Sequence, residues 1–242
     1  MGKQKQMIVR KAIFGLVLLG ASLVVGRLES ASAQVVRIAP IVKQTATLDG
    51  AVRLSGATPP TSDARIDTGS TFFVELWATN VAAPLDGLAC VYVDLAYDRT
   101  DLMDSVSPAQ DGPLFTVNAV SPVFGDVGGL VGDTGGCQPA PAINFLGVGE
   151  WVMTERIQMT AVGTGGLITL TLTDANNLFA GTAIIGQLNN VAPVDIEFQS
   201  RTFTIGQCLS AADCNDGNPC TDDSCAANLC VSTPNDANNP DD

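Results

Sequence analysis

Two Asp-Thr-Gly triplets, Asp67-Thr68-Gly69 and Asp133-Thr134-Gly135, are the first residues in this 242-residue chain whose spelling could do chemistry. Aspartates brought together in pairs share one proton and can activate a water between them. A second candidate is the acidic run holding Asp213, Asn215, Asp216 and Asp222, whose side-chain oxygens suit a hard cation such as calcium. The third is aromatic. Trp77 and Tyr92, with Asp94, fall on the polar phase of alternating segments, where exposed rings and a carboxylate would make a ligand-binding face. Packing into a core is the competing reading for each ring, and Tyr97, on the apolar phase of Val91, reads as core. Histidine is absent. That excludes Ser-His-Asp and Cys-His nucleophilic sites and any zinc site built on imidazole.

The surroundings of these residues decide how much each can do. Ser62-Asp63-Ala64-Arg65 leads into the first triplet and Gly128-Gly129 closely precedes the second. Aspartic proteases, whose signature the triplets match, deliver the carboxyl from a buried apolar strand, so these polar entries read as surface turns instead. In the acidic run, Asp213-Cys214-Asn215-Asp216-Gly217 is one residue too short before its glycine for an EF-hand loop, and no Glu closes it. Two readings stay open there: a weak extracellular-type calcium site in a disulfide-tied turn, or an Asn-Asp-Gly turn among solubilising acids.

Alternation dominates the body of the chain. Val91, Val93, Leu95 and Tyr97 alternate with Cys90, Tyr92, Asp94 and Ala96, and Ile168, Leu170 and Leu172 alternate with threonines, the period of a half-buried strand. Similar segments run over 35–42, 51–55, 71–81, 102–106, 114–120, 143–148, 151–162 and 194–205, separated by Gly-, Pro-, Asn- and Asp-rich turns. Helical periodicity is not sustained over three turns without Gly or Pro. The expectation for residues 34–207 is therefore all-β, an antiparallel sandwich or barrel of roughly eight to ten strands.

At the other end, Lys3, Lys5, Arg10 and Lys11 precede an apolar run from Ala12 to Gly26, and Ala31-Ser32-Ala33 offers a cleavage site before Gln34. Residues 1–33 are expected to be an export signal. The apolar run spans only about 22 Å as a helix against a hydrocarbon core of ~30 Å, so an anchor is the poorer reading. Residues 34–242 carry seven basic and 24 acidic side chains, a net charge of −17, which disfavours nucleic acid and anionic membrane as partners. The expected location is secreted or cell-surface, with no membrane association after cleavage.

Export makes the seven cysteines disulfide candidates. Cys90 and Cys137 stand alone in the body and have no competitor for each other, while Cys208, Cys214, Cys220, Cys225 and Cys230 crowd the last segment. Five in one segment leave at least one without a partner inside it. Residues 208–242 hold seven aspartates and no Lys or Arg, too little apolar surface for a core, so a disulfide-rich and largely irregular tail is expected.

The residues from Asp67 through Phe72-Phe73-Val74-Glu75-Leu76-Trp77-Ala78-Thr79-Asn80, then Leu88 through Tyr97-Asp98, then Leu102 with Ser105-Val106-Ser107, resemble a bacterial cohesin-type module. Ile157 to Val162, Gly165-Gly166, Leu167 to Thr173 and the closing Phe203-Thr204-Ile205-Gly206 continue the likeness, which spans roughly residues 50–206. It implies a nine-stranded jelly-roll sandwich, shared with some carbohydrate-binding modules, that docks a protein partner such as a dockerin. The Gly- and Pro-rich stretch from Gly125 to Pro141 and the Cys90/Cys137 pair depart from that pattern. Residues 208–234 resemble single copies of the Cys-Thr-Asp-x-x-Cys repeats of extracellular proteins. The function expected from these features is a non-catalytic exported binding protein, its partner an extracellular protein or, alternatively, a polysaccharide, with no cofactor unless the tail's acidic turn takes Ca2+. Catalysis by a hydrolase is the remote third reading.

Overall fold

The computed structural model describes residues 35–235 apart from 57, 82–86, 106–108, 118–127, 140–148, 176–181, 185–190 and 209. The expected export signal and the expected strand at 143–148 lie outside the described residues.

Strands form wherever the period of two is clean. In chain order they are β1 (Val36–Lys43), β2 (Arg53–Ser55), β3 (Arg65–Ile66), β4 (Thr71–Asn80), β5 (Leu88–Tyr97), β6 (Met103–Ser105), β7 (Gln110–Asp111), β8 (Leu130–Cys137), β9 (Glu150–Ala161), β10 (Gly166–Asp174), β11 (Ala183–Ile184), β12 (Ile196–Phe198), β13 (Arg201–Ile205), β14 (Thr221–Ala226) and β15 (Leu229–Pro234). The first sheet runs β12-β1-β4-β9-β2, with β6 and β7 also on the edge of β9. The second runs β11-β5-β10-β13-β3, with β8 on the other side of β5. Together they make an antiparallel jelly-roll sandwich with a disulfide-bearing C-terminal segment. Two short ladders, β1 with β12 and β13 with β3, are parallel.

The core lies between the sheets. Phe72, Val74, Leu76 and Ala78 of β4 face Val91, Val93 and Leu95 of β5 and Ile168, Leu170 and Leu172 of β10, all within 3% of full burial. Phe72 and Phe203 meet with ring centroids 5.7 Å apart at a tilted angle.

Several expectations shift in detail. The apolar stretch 194–205 is split between the sheets: β12 joins the first and β13 the second, with Gln199-Ser200 carrying the chain across. The Gly-rich stretch beyond Gly125 contributes a strand, β8, which its composition conceals. Three of its eight residues are glycine, and Gly135 at φ 144° lies so close to β5 that a Cβ there would stand 1.9 Å from the Val91 carbonyl oxygen. The tail, expected to be largely irregular, contains the hairpin β14-β15. Ala227 and Asn228, both at positive φ, form its two-residue turn.

Candidate functional site

Each outer sheet face has a different fate. On the first sheet, the chain between β1 and β2 folds back over the outward residues of β4. Glu75 is the anchor: fully buried, it accepts the Thr47 N–H and hydroxyl, each at 2.7 Å, and the Trp77 Nε1–H at 3.1 Å. Arg156, its cross-strand neighbour on β9, brings Nε to 3.6 Å and donates to the Thr47 carbonyl oxygen. Beneath this cover Ala39, Ile41, Val52, Trp77, Trp151 and Met153 form a second, smaller core.

This placement corrects the aromatic reading. Trp77 does lie on the outward phase, but its exposure is 0% because the 44–56 segment covers it. Tyr92 and Asp94, on the outer face of the other sheet, are 1% and 3% exposed. Tyr92 packs with Ala175 and the Cys90 and Cys137 side chains, and its hydroxyl donates to the Val117 carbonyl oxygen at 3.5 Å. Asp94 Oδ1 accepts the Asp133 N–H at 2.7 Å, and burial, with the Asp133 charge adding to it, holds its carboxyl above the ordinary range against that hydrogen bond. Trp151 and Tyr97 are buried too, so the four Trp and Tyr rings of the chain offer no stacking platform.

Around β10 the outer face of the second sheet is left open. Outward positions on β10 are Leu167, Thr169, Thr171 and Thr173, flanked by Thr202 on β13 and by Ala96 and Leu130 on β5 and β8. Leu167 and Leu130 are 60% and 40% exposed, and Thr171, Thr173 and Thr202 are exposed. The result is a flat field of small side chains. Its acidic corner holds Asp94, with Asp133 and Asp174 near enough to act on the same local potential.

The two Asp-Thr-Gly triplets do not form a dyad. Asp67 sits in an exposed turn ahead of β4, its carboxylate 3.7 Å from Arg65, whereas Asp133 is an extra residue in β8 where the register with β5 shifts, bonded to Asp94. Neither comes from a buried apolar strand.

In the tail, Cys208 pairs with Cys225 and Cys214 with Cys230, while Cys90 is joined to its cross-strand partner Cys137 in the body. Cys220 is the free cysteine. The sulfurs of Cys208, Cys214 and Cys230 lie within 4.8 Å of one another, and all three are engaged in these bridges. The proposed calcium donors are turned to local partners. Asp213 accepts the Ser210 N–H at 2.9 Å, Asn215 the Gly217 N–H at 2.9 Å, Asp216 the Asn218 N–H at 2.8 Å, and Asp222 the Asn235 amide at 2.7 Å. The Asn215 and Asp216 bonds are Asx-type turns, the Asp213 bond caps the short helical turn Ala211–Cys214, and the Asp222 bond ties the hairpin to the residue after it.

The hairpin also touches the sandwich. Asn228 O accepts the N–H groups of Gln207 and Cys208 at 2.7 and 3.3 Å, and Gln207 Oε1 accepts the Cys230 N–H at 3.1 Å. Gly206 is required there, since a Cβ would stand 2.5 Å from that of Asn228. Reduction is expected to release residues 208–235 while the β1–β13 sandwich stays folded, because among the described residues the tail contributes only its cysteines to buried apolar packing. Hydrogen exchange before and after a phosphine reductant checks this: loss of protection in the tail, and locally at Val117 and Gln138 where the Cys90–Cys137 bridge is cut as well, is the expected result, and simultaneous loss in β4 and β9 would show that the two unfold together.

No protein-family model matches the chain, and no curated protein matches it. Among solved structures it is similar to a cohesin in a type I cohesin–dockerin complex from Clostridium thermocellum, at 11% identity and a TM-score of 0.42 over 72% of this chain and 95% of that one. It is also similar to the cohesin module of a family 33 glycoside hydrolase from Clostridium perfringens, at 16% identity and a TM-score of 0.39 over 59% of this chain and 90% of that one. A third similarity is to a cohesin of Acetivibrio cellulolyticus in complex with a dockerin, at 12% identity and a TM-score of 0.38 over 70% of this chain and 96% of that one.

Proposed function

We propose that this chain is a non-catalytic binding module of an exported protein, and that it holds a protein partner on the open face of the second sheet. The observation that carries the reading is the asymmetry of the sandwich. One outer face is sealed by the chain's own 44–56 segment, while the other presents Leu167, Leu130 and a row of threonines to solvent. Small side chains on a flat sheet let a partner approach closely and bury backbone-proximal area without displacing long ordered side chains. The cohesin-type residue order read from the sequence supports the same class. Polysaccharide binding through aromatic rings loses its basis, since the Trp and Tyr rings are buried.

The test is retention of proteins from medium conditioned by the source cells on the immobilised chain, beside a Thr171→Arg variant, with insoluble polysaccharide as the competing ligand. Thr171 is central and exposed on the open face, so the bulky cation is expected to cut retention of the partner by about tenfold or more, the cost of one ill-matched group in an interface. Retention by polysaccharide, equal in both forms, would overturn the proposal.

A further inference from the structure

Residues 109–117 form a strap that closes one side of the sandwich. The strap begins as β7 on the edge of β9 in the first sheet, where Gly112 N donates to the Thr154 carbonyl oxygen at 2.9 Å. Its far end lies on the second sheet: Val117 and Cys137 exchange N–H···O bonds of 3.0 and 2.8 Å. Between them Phe115 is fully buried. The approach is close at both ends, since a Cβ on Gly112 would stand 2.3 Å from the Met153 carbonyl oxygen and one on Gly136 2.6 Å from that of Phe115.

Beneath the strap lies a carboxyl that packing does not explain. The β4–β9 register shifts between Leu76 and Trp77, leaving Thr154 as the extra residue, and Glu155 thereby shares the inner face with Leu76. Glu155 is 2% exposed, and its Oε2 has no hydrogen-bond partner among the described residues. Thr134, inward on β8 opposite Val93, has a buried hydroxyl in the same condition. The groups facing Glu155 can be named strand by strand. β4 presents Leu76, β8 presents the Gly135 backbone, and β7 sets Asp111 directly opposite it in the ladder. Arg156 is on the other face of β9 with Glu75. Burial pushes the Glu155 carboxyl well above its ordinary 4.5, the Asp111 charge adds to this, and the Gly135 backbone hydrogen bond opposes it.

We propose that the Asp111–Glu155 pair is a proton-operated catch on this strap: with a proton on Glu155 the strap lies closed on β9, and loss of that proton to solvent sets two carboxylates against each other and frees the β7 end. The Val117 end stays in place, because Cys137 is bonded to Cys90 and Tyr92 reaches the Val117 carbonyl. Opening is therefore a hinged movement that bares the edge of β9 around Thr154. The sign follows from linkage. A carboxyl whose folded value is raised favours the closed form fully below 4.5, and that preference is lost as pH rises through the folded value.

Amide hydrogen exchange on the full chain, expressed as protection relative to the intrinsic rate at each pH, reads the catch directly. Protection of the Gly112 N–H is expected to fall by about tenfold or more between about pH 4 and pH 8, while the Val117 N–H keeps its protection. In Glu155→Gln, which keeps the shape and removes the titration, Gly112 protection is expected to be independent of pH. Asp111→Asn, on the half-buried strap, offers a second variant with little risk to folding and should shrink the fall in Gly112 protection, because the Glu155 carboxyl is then raised by burial alone. Flat Gly112 protection in the unaltered chain would overturn the proposal, as would an unchanged pH dependence in Glu155→Gln. Restoration of protection at pH 8 by millimolar calcium, lost in Glu155→Gln, would also overturn it, by making the pair a cation seat.

Discussion

Glu75→Ala is expected to lower the unfolding free energy by about 3–5 kcal/mol, the usual cost of removing one partner from a buried charge pair. The carboxylate accepts hydrogen bonds from Thr47 and Trp77 and forms an ion pair with Arg156 at 3.6 Å, so truncation leaves a buried indole N–H and a backbone N–H without an acceptor and a largely buried guanidinium without its counter-charge at once. Those donors belong to the cover segment, the small core beneath it and β9. Loss of the acceptor should therefore loosen the cover as well as the fold. Urea denaturation supplies the free energy, and limited proteolysis supplies the location: cleavage within residues 44–56 is expected to appear in the variant well before cleavage elsewhere. Glu75→Gln, which retains an oxygen acceptor for Thr47, should lose less. A decrease below about 1 kcal/mol in the alanine variant would show that the cover is held by its apolar contacts alone.

Replacing Cys90 and Cys137 together by alanine should cost about 4 kcal/mol, the value chain entropy assigns to a loop of this length. The bridge spans a sequence separation of 47 and joins residues already opposite each other in the β5–β8 ladder. Its weight is greater here because β8 is poor in side chains: Gly132, Gly135 and Gly136 give the strand little area to bury on its own. The same bridge pins the Val117 end of the strap, so the double variant should raise exchange at Val117 and Gln138 more than at β4. Denaturation of the variant beside the oxidised chain measures the loss, and equal midpoints would mean that β8 is secured by its backbone ladder without the cross-link.

Much of this fold was legible as alternation, since inner-face residues of β4, β5 and β10 fall on a strict period of two. Three features were hidden for different physical reasons. Trp77 occupies the outward phase that its position dictates, but the segment that covers it lies about thirty residues away, and phase alone reports a direction, not what stands there. β8 was obscured because glycine has no hydropathy to alternate; its signal is the need for close backbone approach, visible only once β5 is beside it. Glu155 is hidden because regular alternation from Met153 points it outward with Trp151 and Met153, and a single extra residue in the register reverses that direction. The disulfide candidates in the body were readable by elimination, whereas the composition of the acidic tail does not reveal that Asn215 and Asp216 accept backbone N–H groups of their own turns.

That extra residue at Thr154 makes β9 behave like a text with a shifted reading frame. On one side Met159, Ile157 and Glu155 belong to the interior; on the other Val152 does, and Met153 and Trp151 belong to the covered outer core. Deletion of Thr154 would bring the frame back to simple alternation with Met153 still outward and Glu155 still inward, whereas a one-residue deletion elsewhere in β9 would carry the side chains on one side of it to the wrong face. Substitutions in the two halves should accordingly be tolerated by separate rules, and, loss of Thr154 apart, length changes in β9 should be survivable only in compensating pairs, one gained and one lost on the same side of the shift.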